Sequence, residues 1–145
     1  MTEQDKETYL YQMKYAQFLY EKNGKKALDD LEEYEIRKMK RIWNGIGEKH
    51  GRDLGTLIHQ LWGNMGSDFE YSITKQTDTE VQIECRKCPF VSLSLDNGMK
   101  EVGYSKYCMS DYGIVEGFNP RIEFTRTKTL MEGKEICNHH YKMKG

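Results

Sequence analysis

Phe69-Glu-Tyr-Ser-Ile-Thr-Lys-Gln-Thr-Asp-Thr-Glu-Val-Gln-Ile-Glu-Cys-Arg-Lys-Cys-Pro89 is where the chain changes its period. Phe69, Tyr71 and Ile73 alternate with polar residues, and Val81, Ile83 and Cys85 alternate with Gln82, Glu84 and Arg86. A repeat of two places such residues on one face of a strand. Thr77-Asp78 between the runs has turn chemistry. The two runs therefore predict an antiparallel hairpin. Pro89 has no N–H to give a ladder, so the second strand should stop near Cys88.

Upstream of this stretch the period is helical. Tyr9, Met13, Ala16 and Tyr20 recur at helical spacing before Asn23-Gly24. Leu28, Leu31, Tyr34, Ile36, Met39, Trp43 and Ile46 mark a second helix, which Gly45, Gly47 and Gly51 should break. Asp53 is placed to cap a third, carrying Leu54, Leu57, Ile58, Leu61, Trp62 and Met65, and Gly63 and Gly66 should end it.

Downstream, Phe90 to Leu95 fits either period, and Tyr104 to Val115 reads as helix with Cys108, Asp111, Tyr112 and Val115 on one face. Ile122, Phe124 and Arg126 alternate again, and a last strand is expected from Glu135 to about Met143. The expectation is one α+β domain over residues 1–145. Residues 1–66 form a helical part, and 67–145 form an antiparallel sheet interrupted by one helix.

The 145 residues suffice for a real core, and a net charge of −1 lacks the basic signature of a nucleic-acid binder. No stretch approaches the ~18 apolar residues of a membrane span. The polar start Met1-Thr-Glu-Gln-Asp-Lys-Glu has no apolar core of a secretory signal. The expectation is a cytoplasmic protein with no membrane or nucleic-acid partner, whose cysteines stay unpaired by disulfides. Ten tyrosines and the Leu/Trp stripe of the third helix belong mostly to the core, and their excess could serve a homodimer.

All four cysteines and half of the histidines fall between Cys85 and His140. Cys108 and Asp111, three apart on a helix, share a face. If that helix starts at Ser105, Cys108 lies in its first turn, where backbone N–H groups favour a thiolate. Cys137 and His139, two apart on a strand, also share a face, with His140 on the other. Cys85, on the apolar side of its strand, reads as a small core hydrophobe. The competing use is zinc. Cys85-x-x-Cys88 is a plausible ligand pair that Cys108, Cys137 and His139 could complete, although a second close-spaced pair is missing. There is no phosphate loop, dinucleotide fingerprint or nucleophile elbow.

Four segments carry a family resemblance: Arg86-Lys-Cys88-Pro-Phe90, Tyr107-Cys108-Met-Ser-Asp111, the run from Gly117 to Gly133, and Cys137-Asn-His-His-Tyr141. Over roughly Phe69 to Tyr141 the chain resembles the family named for L-2-amino-thiazoline-4-carboxylate hydrolase. Asn138 stands where that family has an acidic residue. The terminal hairpin also resembles that of vinyl-reductase-type ligand-binding domains, which implies a pocket for a small ligand.

The resemblance implies a cofactor-independent hydrolase that opens a small cyclic amidine or thiazoline. Cys88, Cys108, Cys137 and His139 would be catalytic, through a thiolate or through water activated by His139. Asp111 would hold the cationic amidine, and Arg121 or Arg126 the substrate carboxylate. Two other classes stay open: a small-ligand or zinc-binding sensor without turnover, and an assembly role in which the cysteines merely pack.

Overall fold

The computed structural model describes residues 1–145. Helix α1 (Glu3–Asn23) starts with a reciprocal cap. The Asp5 N–H donates to the Thr2 hydroxyl, and the Thr2 N–H donates to the Asp5 carboxylate, each at 3.0 Å. It stops at Gly24, whose φ of 69° a side chain would strain. Helix α2 (Lys25–His50) runs through Gly45 and Gly47, where a break was expected, and ends only at Gly51. One glycine costs a helix only about 1 kcal/mol, which packing overrides. At Gly47 the missing Cβ is put to use, because the Arg52 guanidinium and the Phe118 carbonyl close over it. Helix α3 (Leu54–Leu61) is capped as expected, with the Thr56 N–H on Asp53 Oδ1 at 2.7 Å, and runs into a 3₁₀ turn over Trp62–Asn64.

Four strands make one antiparallel sheet in the order β1-β2-β4-β3: β1 (Glu70–Gln76), β2 (Glu80–Lys87), β3 (Ile122–Thr125) and β4 (Cys137–Met143). The hairpin read from the sequence is β1-β2. Register pairs Val81 with Tyr141, Ile83 with His139 and Cys85 with Cys137, so the inward residues of the two central strands face one another. β1 is an edge, and its Ile73 stays 41% exposed. The last strand starts at Cys137 rather than Glu135, and Arg126 lies just past β3.

The interruption of the sheet is longer than the single helix expected. Phe90 to Leu95 is helical, in α4 (Pro89–Asp96), with Pro89 at its first position, where a missing N–H costs nothing. Then come α5 (Lys100–Gly103), a π-helical turn over Tyr104–Cys108, and α6 (Ser110–Phe118). Trp43 of α2, Leu54, Leu57 and Ile58 of α3, and Ile114, Val115 and Phe118 of α6 cover Val81, Ile83, Cys85, Cys137 and Tyr141 of the sheet. Met13, Leu93, Met99 and Val102 form a second cluster beneath α1. No helix is long and apolar enough to cross a membrane.

Candidate functional site

Between α2, the turn after α3, the π turn and the sheet lies a cavity of about 580 Å³. That is within the usual range for small-molecule sites. Cys88, Cys108, Cys137, His139, Asp111 and Arg126 all line it, and so does Cys85. Arg121 does not: it is an exposed residue before β3, so the structure leaves it out of the group.

The four thiols are free, and their surroundings differ. Cys88, the least buried, occupies the N-cap position of α4. Burial pushes its thiol up to about 11, opposed by the N–H groups of Val91 and Phe90, although no capping hydrogen bond of ordinary length reaches its sulfur. Burial also pushes Cys85 up to about 12 and raises Cys108 and Cys137. Cys137 Sγ accepts the Leu130 N–H at 3.1 Å, and the nearby Arg126 charge further offsets its burial. Cys108 does not sit in the first turn of a helix. The helical run already begins at Lys100, so Cys108 closes a π turn with a covered backbone around it. The helix N-terminus of this site belongs to Cys88 instead.

Asp111 and Arg126 are joined: Arg126 Nη1 donates to Asp111 Oδ2 at 2.6 Å and Nη2 to the Cys108 carbonyl at 2.8 Å. The Arg126 side chain is almost fully buried. Burial raises the Asp111 carboxyl above its ordinary value, with the Arg126 charge opposing. The two residues expected to hold opposite ends of a substrate thus form one ion pair on the cavity wall. The Arg126 fork keeps donors beyond these two bonds.

His139 is buried between the rings of Trp62 and Phe124, and burial depresses its pKa to about 3. It is therefore a neutral imidazole, and its Nδ1 has no hydrogen-bond partner. His140 points the other way, to Glu80 at 2.6 Å, so the alternation read from the sequence separates the two histidines. Asn138, in place of an acidic residue, works outside the cavity. Its Oδ1 accepts the N–H groups of Thr127 and Lys128, and its Nδ2 donates to the Thr127 hydroxyl. A carboxylate could not make that last bond.

Four polar residues of the cavity, Glu35, Lys38, Lys106 and Tyr107, were not found as site residues from the sequence. Glu35 of α2, almost wholly buried, accepts Lys106 Nζ and Lys38 Nζ, both at 2.8 Å. Tyr107 contributes a buried hydroxyl with no partner. Glu35 and Lys106 are 71 residues apart, and only the π turn brings the lysine to α2. Its sole signal in the sequence is a lysine next to the aromatic and thiol side chains of Tyr104, Tyr107 and Cys108. No three His, Cys, Asp or Glu side chains converge closely enough to hold a metal, the Cys85, Cys88, Cys108, Cys137 and His139 set included.

No curated protein matches the chain. Among solved structures it is similar to a trafficking protein particle complex subunit 3 from Naegleria fowleri covalently bound to palmitic acid. The TM-score is 0.60 at 16% identity, over 99% of this chain and 98% of that one, which is a likeness of fold. The family model for L-2-amino-thiazoline-4-carboxylic acid hydrolase matches residues 3–141, nearly the whole chain with its thiols, its buried ion pair and its imidazole; the chain belongs to that family.

Proposed function

We propose that the cavity opens a small cyclic amidine or thiazoline, with Cys88 as nucleophile. The observation that carries this is the place of Cys88: the N-cap of α4, lining the same cavity as His139 and the Arg126–Asp111 pair. In the resting protein the thiol is protonated. A cationic amidine beside it favours the thiolate, as do the amides of the helix start. The thiolate adds to the carbon between sulfur and nitrogen. The C–S bond of the ring then breaks, and the ring sulfur takes a proton. Water next adds to the same carbon and expels the Cys88 thiol, leaving an N-carbamoyl product. Asp111 accepts from the amidine N–H groups, a spare N–H of Arg126 holds the ring carboxylate, and Nδ1 of neutral His139 orients the water. Cys108 and Cys137 complete the wall and exclude solvent.

The test is turnover of L-2-amino-thiazoline-4-carboxylate with intact-mass analysis of quenched samples. The reading requires a Cys88-linked adduct in the wild type, and a rate for Cys88→Ser at background with its fold intact. Wild-type rates for Cys88→Ser would end the thiol mechanism.

A second reading is favoured by the mainly apolar lining and the un-ionised thiols: a holding module without turnover. The similar trafficking-complex subunit is covalently bound to palmitic acid. Here an acyl chain would sit on Cys88 as a thioester, transferred from an acyl-thioester donor whose thiol leaves. A hydroxylamine-labile mass on the native protein, with no ring opening, would select this reading.

A further inference from the structure

We propose that Lys38, Glu35 and Lys106 form an anion subsite at one wall of the cavity, and that its ligand is a single anion, such as a carboxylate, carrying an apolar body. The proposal takes its place from the cavity described above and does not depend on ring opening. Three cations line the cavity, Lys38, Lys106 and Arg126, against two anions, Glu35 and Asp111. Arg126 and Asp111 neutralise each other. Glu35 faces two lysines, so one positive charge has no protein partner. Lys38 is 31% exposed, so that charge is the one partly open to solvent while it lines the cavity.

The hydrogen bonds are short on the same side of the balance. Lys106 and Lys38 bring donors, and the buried Tyr107 hydroxyl has no acceptor. His139 Nδ1, more than nine-tenths buried, is also unpartnered in the same cavity and can meet either a donor or an acceptor of a ligand, according to its tautomer. A buried hydroxyl left without an acceptor is costly, so a ligand that brings an acceptor beside Tyr107 and the lysines is favoured. Met39, Trp43, Leu61, Met65 and Phe69 supply the apolar wall for its body.

Octanoate and octanol share a body and differ by the charged group, so calorimetric titration of the full chain with each isolates the subsite. Octanoate is expected to bind about tenfold or more tighter than octanol, the scale of a charge-assisted hydrogen bond. Lys38→Met should abolish that preference through a loss of octanoate affinity. Equal affinities in the wild type, no binding of either, or a preference that survives in both Lys38→Met and Lys106→Met would overturn the proposal. A lost preference with ring opening intact sinks the subsite alone. An intact preference without ring opening sinks the hydrolase reading alone.

A separate observation concerns α1. Tyr11, Tyr15 and Phe18 are 81%, 66% and 53% exposed on one face, and Glu7, Lys14 and Lys22 flank them without an intramolecular ion pair. We infer that this face docks a second copy of the chain antiparallel to itself. Laid antiparallel about the middle of Lys14 and Tyr15, the face complements itself. Tyr11 meets the other copy's Phe18, Lys14 meets Tyr15, and Glu7 meets Lys22. Sedimentation equilibrium tests it. The wild type should dimerise, Glu7→Lys and Lys22→Glu should each weaken the dimer, and the double swap should restore it. A monomeric wild type, single variants that dimerise normally, or a double swap that stays monomeric would each overturn it.

Discussion

His139 is held neutral by its burial, and that has a sign in stability. Its folded pKa, about 3, lies below the ordinary 6.5, so between those values the unfolded chain binds the proton that the native state refuses. The stabilisation is complete above pH 6.5 and is lost as pH falls toward 3, at up to about 1.4 kcal/mol per pH unit. Urea midpoints at pH 7.5 and pH 5 should therefore differ more in the wild type than in His139→Phe; equal differences would mean that the imidazole opens to solvent. Thiol chemistry belongs to the same scale. All four thiols are raised by burial, so alkylation at pH 7.5 should be slow. Peptide mapping should find Cys88 modified first, and a faster Cys108 would return the reactive role to the π turn.

At the scale of elements, α2 and α6 set the depth of the cavity by how closely they cross. Gly113 and Gly117 of α6 lie directly on the α2 backbone, at the carbonyls of Ile36 and Lys40, with no room for a Cβ. Gly113→Ala and Gly117→Ala should each cost about 1–3 kcal/mol in urea unfolding. Gly45→Ala, on α2 with open space around it, should instead gain about 0.5–1 kcal/mol. The three glycines look alike in sequence; only the crossing distinguishes them. That is why the expected helix break at Gly45 and Gly47 failed, while the cap at Asp53 and the stop at Gly24 could be read locally. The inserted helices were read short for a related cause. Phe90 to Leu95 is apolar on several sides because it sits between α1 and the cavity, so neither period shows.

At the scale of the whole molecule, a buried bond ties the turn after α3 to the sheet across the cavity. Trp62 Nε1, in the turn after α3, donates to Tyr141 Oη of β4 at 3.0 Å over 79 residues of chain. Tyr141→Phe keeps the ring and strands the indole N–H, a cost of about 1–3 kcal/mol. Urea unfolding of the variant measures it, and no change would show that water takes over the bond.

The α+β class, the hairpin, the inward face shared by Cys137 and His139, and the family itself were legible in the sequence alone, because strand and helix periods and short motifs are local. The tertiary structure decided what local patterns cannot carry. It moved the helix N-terminus from Cys108 to Cys88, tied Asp111 to Arg126, left Arg121 outside, and set Lys106 on Glu35. Each of these depends on the depth of burial or on partners 15 to 71 residues apart. Burial and proximity are properties of the packed chain, and they determine which charges remain unpaired to meet a ligand.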